Sequence, residues 1–211
     1  MSSLLYNDFT NKLEEKNKVN LIDYIDIING YSYSGEELRD ESNIGMLTIK
    51  NFDRNGGFKI DGFKSLKPIK NKYPLISKFT LLIAHTDLTQ NAEIIGNPIL
   101  LLNSEKYTTL TFSMDIVQVI AKKEIGLFYL YEEFKSIDFK KYALGYTHGT
   151  TVLHLNKNAL KKYTFYVPKN LESTYIIDNK IKQIYEKISF IYEEIDVLLK
   201  LKANYLKKFF G

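Results

Sequence analysis

The sequence predicts an α+β domain followed by a long C-terminal helix that protrudes from it. Short runs rich in apolar and β-branched residues, such as 79–84, 99–102 and 107–112, are typical of strands. The segment from Glu172 to Phe210 contains neither proline nor glycine. At about 1.5 Å per residue, a helix of this size would be roughly 50 Å long, which exceeds the width of a small domain.

The N-terminal part alternates short periodic segments with turns. Residues 1–17 have the spacing of a short amphipathic helix, and residues 21–28 form a second apolar-periodic segment that ends at Gly30. Residues 31–35 are predicted to be a turn or loop. A short strand over 46–49 then leads into a polar turn, Asn51-Phe-Asp-Arg-Asn-Gly-Gly, whose residue types tolerate positive φ.

The second half of the domain mixes helix and strand. Residues 115–121 suit either a strand or a helix, whereas Leu127, Leu130, Tyr131 and Phe134 predict a helix between about 126 and 135.

A loop bracketed by Gly145 and Gly149 precedes a strand over 163–167, which stops at Pro168. We therefore divide the chain into a domain of residues 1–168 and a helical arm of residues 169–211. Asn170 or Ser173 is the predicted N-cap of the arm.

The arm carries a heptad pattern of apolar residues, with charged residues on the faces between them. The pattern consists of Ile177, Ile181, Ile184, Ile188, Ile191, Ile195 and Leu198, at alternating spacings of four and three residues. A helix this long cannot cover its whole apolar stripe with its own domain, so we expect a dimerisation surface formed by these seven residues.

Composition restricts the class of protein. The hydrophobic fraction of 45% is typical of a folded chain, and the absence of cysteine excludes disulfides and thiolate zinc sites. The N-terminus lacks a basic region followed by an apolar core, and no apolar run approaches the ~18 residues of a membrane span. We expect a cytoplasmic protein without a membrane partner.

Positive charge is concentrated in one stretch. Between residues 50 and 78, eight basic residues face only Asp53 and Asp61. The basic residues are Lys50, Arg54, Lys59, Lys64, Lys67, Lys70, Lys72 and Lys78. Such an excess suits a phosphate backbone, although lysine is also abundant in any Ile/Lys/Asn/Tyr-rich chain.

The sequence shows no strong catalytic motif. Gly56-Gly-Phe-Lys59 lacks the spacing of a phosphate-binding loop, and no Gly-x-Gly nucleotide loop follows a strand. His85, His148 and His154 do not have metal-site spacing, so we expect them to serve as hydrogen-bonding residues. Asp115 followed by Glu133-Phe-Lys135 has the order of a metal-dependent nuclease, but the latter pair is predicted to lie on a solvated helix face.

The order of these landmarks resembles the specificity subunit of type I restriction-modification systems, over about residues 20–210. Similar elements are Ile28-Asn-Gly-Tyr-Ser-Tyr-Ser34, Leu47-Thr-Ile-Lys-Asn-Phe-Asp-Arg-Asn-Gly56 and Leu127-Phe-Tyr-Leu-Tyr131. The best match is Gly149-Thr-Thr-Val-Leu-His-Leu155, then Tyr163-Thr-Phe-Tyr-Val-Pro168 and the heptad helix. At Lys78-Phe-Thr80 the chain departs from the family, which has Gly-Asp after the lysine and a variable residue.

The resemblance implies a non-catalytic subunit made of one DNA target-recognition domain and one spacer helix, a half-length form. Two copies would pair through an antiparallel coiled coil and read a bipartite, symmetric site on double-stranded DNA. The implied partners are an adenine methyltransferase (modification) subunit and, as an optional one, a restriction-translocase subunit. S-adenosylmethionine, and ATP with Mg²⁺, would belong to those partners; this chain would hold no cofactor and no metal.

The candidate DNA-binding residues are basic residues for phosphates and loop residues with donors and acceptors for base edges. They are Ser32, Ser34, Lys50, Asn51, Arg54, Lys64, Lys67, Lys70, Lys72, His85, Thr86, Tyr146, Thr147, His148, Thr150 and Thr151, with Asn55, Gln90 and Asn91 as further loop candidates. Two alternatives remain at this point: a coiled-coil adaptor that binds no DNA, and a small metal-dependent nuclease.

Overall fold

A computed structural model of the chain describes residues 1–68, 73–89, 91–103, 106–122 and 124–210. Its strands are β1 (Lys16–Asn20), β2 (Ile25–Asn29), β3 (Leu38–Arg39), β4 (Ile44–Leu47), β5 (Lys64–Leu66), β6 (Leu81–Ala84), β7 (Thr86–Asp87), β8 (Pro98–Leu100), β9 (Thr109–Phe112), β10 (Ile116–Ala121), β11 (Thr147–His148), β12 (Leu153–Leu155) and β13 (Thr164–Pro168). Its α-helices are α1 (Ser2–Asn11), α2 (Leu127–Phe134), α3 (Ile137–Gly145), α4 (Lys157–Lys162) and α5 (Glu172–Phe210). The predicted fold class, an α+β domain with a long C-terminal helix, is confirmed.

The centre of the domain is an antiparallel four-stranded sheet in the order β2-β10-β6-β8. Its inner strand β6 reads Leu-Leu-Ile-Ala, and all four side chains are buried. A strand covered on both faces has a continuous apolar run, which explains why β6 lacks polar alternation. Residues 115–121, which suited strand or helix, supply β10 of this sheet.

A second four-stranded sheet has the order β3-β5-β4-β9, with β4 and β9 parallel and the other pairs antiparallel. A single turn, residues 113–115, carries the chain from β9 of this sheet directly into β10 of the first. Two small sheets, β1-β13 and β11-β12-β7, complete the domain. The chain therefore concentrates several strand ends on one side of the central sheet.

Helix α2 is the platform on which α5 docks. The carboxylate of Asp178 in α5 accepts hydrogen bonds from the backbone N–H groups of Phe128 (2.6 Å) and Tyr129 (2.9 Å), and so caps the N-terminus of α2. Gly126 allows this approach, because a Cβ there would lie 2.3 Å from Asp178 Oδ1. Burial raises the pKa of Asp178, against the opposing effect of the two N–H donors.

Several predicted elements occur with small shifts, and others were not predicted. The helix over 126–135 is confirmed as α2, and the strand over 163–167 is confirmed as β13. Asn170, one of the two predicted caps, accepts the backbone N–H of Glu172 at 3.0 Å. Helices α3 and α4 were missed, because α3 is weakly amphipathic and α4 has only 6 residues. Among the described residues, no helix is long and apolar enough to cross a membrane.

Candidate nucleic-acid interface

Four segments meet at the end of the central sheet where β2 and β6 finish and β10 begins. They are residues 30–34, 85–89, 113–115 and 146–154, and we call them the sheet-end surface. Backbone hydrogen bonds join them in series: Met114 N–H donates to Tyr31 O (2.9 Å), His85 N–H to Asp115 O (3.0 Å), and Leu155 N–H to His85 O (2.8 Å). Loops tied together in this way present their outer side chains on one rigid surface.

The outer side chains of the sheet-end surface are mostly uncharged. The exposed polar ones are Ser32, Ser34, Tyr146, His148, Thr150, Thr151 and His154. Leu88 and Met114 add exposed apolar groups, at 62% and 50%, and were not predicted from the sequence. The four segments contain no lysine or arginine. Hydroxyl, imidazole and methyl groups without a fixed positive charge suit contacts to base edges better than contacts to phosphates.

Cations flank this surface instead of occupying it. Lys64 Nζ donates to Tyr33 Oη at 2.6 Å and lies 4.8 Å from the centre of the Tyr33 ring. Lys64 also lines a shallow depression of about 530 Å³ with Arg39 and Lys106, two basic residues that the sequence did not single out.

On another side, Arg54 Nε pairs with Glu93 Oε2 at 3.3 Å, which places the turn of residues 53–57 beside the segment that follows residue 89. Lys50 is exposed near this turn and Lys67 is half-buried beside β5. The basic stretch of residues 50–78 is thus divided between two flanks in space. Lys70, Lys72 and Gln90 lie outside the described residues.

Three candidate residues are corrected by their burial. Asn51 is 0% exposed: its Oδ1 accepts Thr48 N–H (2.9 Å) and its Nδ2 donates to Lys59 O (3.0 Å). His85 and Thr86 are 8% and 3% exposed, and their side chains contact each other at 3.1 Å. These residues shape the loops, because their polar atoms satisfy neighbouring groups in the interior and do not face a groove.

Asp87, which is buried, and Lys140, which is half-buried, hold residues 92–95 in place. Asp87 accepts the backbone N–H groups of Thr89 (2.7 Å), Ile94 (2.6 Å) and Ile95 (2.8 Å). Burial would raise the pKa of Asp87, but these donors outweigh it and the pKa is lowered. Lys140 on α3 donates to Ile95 O at 2.7 Å and to other carbonyls of the segment. Leu88 therefore lies between Asp87 and Thr89, which are joined by one of these hydrogen bonds.

The hairpin β11–β12 also positions side chains of the sheet-end surface. Thr147 Oγ1 donates to Ala143 O at 2.9 Å, so this candidate caps α3 and is only partly exposed. His148 lies directly opposite His154 in the strand register. The sequence analysis did not predict this pairing; the four-residue connection 149–152 brings the two histidines opposite each other.

Of the predicted pair Glu133 and Lys135, Glu133 is buried, contrary to the predicted solvated face, whereas Lys135 is exposed. Glu133 is 8% exposed and accepts hydrogen bonds from Tyr163 Oη (2.6 Å) and Tyr6 Oη. Burial raises the pKa of Glu133, against the opposing effect of the two hydroxyls. Glu132, 2% exposed, binds Lys135 at 3.0 Å. Within the described residues, no three His, Cys, Asp or Glu side chains are grouped to hold a metal ion.

The heptad stripe of α5 is divided between two environments. Ile177 and Ile181 are 4% and 0% exposed within their own domain, so their assignment to a dimerisation surface is corrected. Ile184 and Ile188 are half-buried. Ile191, Ile195 and Leu198 are 51%, 45% and 63% exposed. Beyond them Leu199, Leu201, Tyr205, Leu206 and Phe209 are also exposed, so the second half of α5 presents a wide uncovered apolar surface.

The fold of this chain is also found in solved structures of other proteins. The sequence matches no family model and no curated protein. The structure matches the type I restriction-modification S subunit of M. genitalium with a TM-score of 0.62 and 14% identity, over 94% of this chain and 46% of that one. The chain has the S-subunit fold.

Two other solved structures agree. The HsdS subunit of Thermoanaerobacter tengcongensis matches with a TM-score of 0.54 and 13% identity, over 92% of this chain and 44% of the other. A chain from a structural study of assembly and conformational transition of the type I R-M system matches with a TM-score of 0.55 and 15% identity, over 95% and 48%. The chain therefore spans about half the length of each structure it matches.

Proposed function

We propose that the chain is a non-catalytic, DNA-binding specificity subunit of a type I restriction-modification system. The observation that carries this proposal is the match of 94% of the chain to 46% of an S subunit, which includes both the domain and the long helix. The resemblance of the sequence motifs supports the same function independently of the coordinates. In this function the chain acts in the cytoplasm.

The sheet-end surface supplies base readout in this proposal. Its exposed serine, threonine, tyrosine and histidine side chains can donate to and accept from base edges, and the methyl-bearing Met114 and Leu88 can contact thymine. Lys64, Arg54 and Lys50 on the flanks contact phosphates. This division, with cations outside and uncharged groups inside, matches the separate tasks of positioning a duplex and reading it.

The second half of α5 supplies a two-fold interface with a second copy of the chain. Continuing the heptad beyond Leu198 gives seam positions 202, 205 and 209. In an antiparallel pair centred on residue 200, Ile191 lies opposite Phe209 of the second copy, Ile195 opposite Tyr205, and Leu198 opposite Lys202. This register leaves one polar residue of each copy, Lys202, in the seam and spans about 27 Å.

The register also agrees with the position of the domain. The second copy's helix would end near the level of residue 190, where Tyr192 Oη donates to Phe58 O at 2.7 Å and α5 is held by its own domain. Two copies would then display two sheet-end surfaces with two-fold symmetry, which implies an interrupted symmetric site. A methyltransferase subunit, with its S-adenosylmethionine, would bind the assembled pair.

A binding experiment tests the DNA proposal. Retention of a random-sequence duplex library, followed by sequencing of the bound fraction, should enrich a bipartite motif with two symmetric halves. Affinity for the enriched duplex should fall with salt concentration, and Lys64→Ala should lower the slope of log K against log salt by about 1 without changing the motif.

Variants of the sheet-end surface are the matched comparison for Lys64→Ala. Thr150→Ala and Met114→Ala should change which bases are enriched while leaving the salt slope unchanged, because neither side chain carries charge. Absence of salt-dependent duplex retention would contradict the proposal and favour a coiled-coil adaptor.

A further inference from the structure

The two histidines of the β11–β12 hairpin have a geometry that base reading does not require. Their ring centres are 6.1 Å apart, with a tilt of 37° between the ring planes. Gly149 fixes the turn between them: its φ is +113°, and a Cβ there would lie 2.1 Å from Val152 O. The backbone therefore fixes the relative position of the two residues that carry the imidazoles, and the rings can still rotate about their side-chain torsions.

Both imidazoles are available to a ligand. His148 and His154 are exposed, and among the described residues their one recorded side-chain contact is with each other. The next residue across the small sheet from His154 is Thr86, whose hydroxyl already contacts His85 Nδ1. Both imidazoles are thus accessible from solvent on one side of the hairpin.

We propose that His148 and His154 form a two-imidazole site for a divalent late transition-metal ion such as Cu²⁺, Ni²⁺ or Zn²⁺. With metal–nitrogen bonds of about 2.0–2.1 Å, a ring centre lies roughly 3 Å from the metal. The 6.1 Å between the two ring centres is close to twice that distance. Small rotations about the side-chain torsions bring one nitrogen of each ring onto the same ion.

The chemistry of the site determines which ions it takes. Imidazole nitrogen favours copper, nickel and zinc over magnesium and calcium, and Cu²⁺ should bind most tightly of the divalent series. With no third His, Cys, Asp or Glu grouped beside the pair among the described residues, water completes the coordination shell. The site is open and exchangeable, and it differs from a structural centre with four protein ligands.

A titration of the full chain without an affinity tag tests this proposal. Calorimetric titration with Cu²⁺, Ni²⁺ or Zn²⁺ should show that one ion binds per chain. NMR of the imidazole protons should show that the ion perturbs both rings, whereas Mg²⁺ should perturb neither. His148→Asn and His154→Asn should each lower the affinity by about ten-fold or more, because one ring without the other loses the chelate.

Two controls show whether a lower metal affinity comes from the loss of a ligand or from a change in the fold. Circular dichroism should show that both variants fold, because both side chains are exposed, and Thr151→Ala serves as a neighbouring control that should keep wild-type affinity. Equal metal affinity in wild type and either single variant would overturn the proposal, as would no binding of any of the three ions. The titration contains no DNA, so its result is separate from that of the DNA-binding experiment.

Discussion

The two halves of α5 share one periodic pattern but have different neighbours. Residues 172–193, the docked half, bury Ile177 and Ile181 and place Ser189 Oγ 2.6 Å from Leu102 O. Residues 194–210, the free half, leave Ile195 and Leu198 about half exposed. The comparison teaches that a heptad predicts a helix and its apolar stripe, whereas the identity of the covering surface depends on where the rest of the chain lies.

The free half changes neighbour because it extends beyond its own domain. From Val197 to Phe209 every side chain is exposed, on all faces of the helix. A helix that projects beyond its domain exposes its apolar stripe together with its polar faces.

The largest effect is expected from charges in the free half. Replacing Ile195 and Tyr205 together by Glu sets a carboxylate of one copy directly opposite a carboxylate of the other at both ends of the proposed antiparallel seam, and should convert the dimer to a monomer. Sedimentation velocity at micromolar concentration measures the change, and circular dichroism should show an unchanged fold. A monomeric wild-type protein at the same concentration would refute the homodimer.

The next effect should come from the docked half. Ile181→Ala removes a fully buried side chain and should lower the free energy of unfolding by about 2–5 kcal/mol. The matched variant Leu198→Ala, at a position that is 63% exposed, should change it by no more than about 0.5 kcal/mol when the chain is monomeric. Urea denaturation measures the free energy of unfolding of both variants, each made in the Ile195→Glu background so that the chain does not associate. Similar losses of stability in the two variants would contradict the division of α5 into a docked and a free half.

The sequence predicted the apolar elements of this chain better than its buried polar residues. The α5 helix and strand β6 follow from uninterrupted local patterns, which do not depend on distant residues. The burial of Asn51 and Thr86 could not be predicted, because polar loop residues look alike whether they satisfy interior backbone groups or face solvent. The pairing of His148 with His154 depends on a tight turn that only the register reveals.

The same limit applies to the acids of α2. Glu132 and Glu133 are polar residues in an otherwise apolar helix, which locally indicates a solvated face. Their partners Tyr6, Tyr163 and Tyr185 come from α1, from the residue before β13 and from α5. Contacts between residues so far apart in the sequence produce no local pattern, so the burial of these acids could not be predicted from it.

The hydrogen-bonded carboxyl of Glu133 should have a smaller effect than Ile181→Ala, and the effect should appear in the pH dependence of the free energy of unfolding. Glu133 has a raised pKa in the folded state because it is buried, so its contribution is fully present below the pKa of the unfolded chain and is lost as the pH rises through the folded pKa. Glu133→Gln imitates the protonated acid at every pH. The unfolding free energy of wild type minus that of the variant should therefore decrease as the pH is raised from about 4, as measured by urea denaturation; a difference independent of pH would be inconsistent with a raised pKa.

The smallest effect is expected at the border of the two halves, where Lys78 Nζ pairs with Glu193 Oε1 at 2.7 Å. Both side chains are partly exposed, so Glu193→Gln should lower the free energy of unfolding by only about 0.2–1 kcal/mol at low salt, and by less at 1 M salt. Glu186→Gln breaks an i,i+4 pair with Lys182 within α5 in which both side chains are about half exposed, and provides the control for a purely local helix effect. If Glu193→Gln has no effect beyond that control, the docked half ends at Tyr192, whose hydroxyl makes the last hydrogen bond from α5 to the domain among the remaining described contacts.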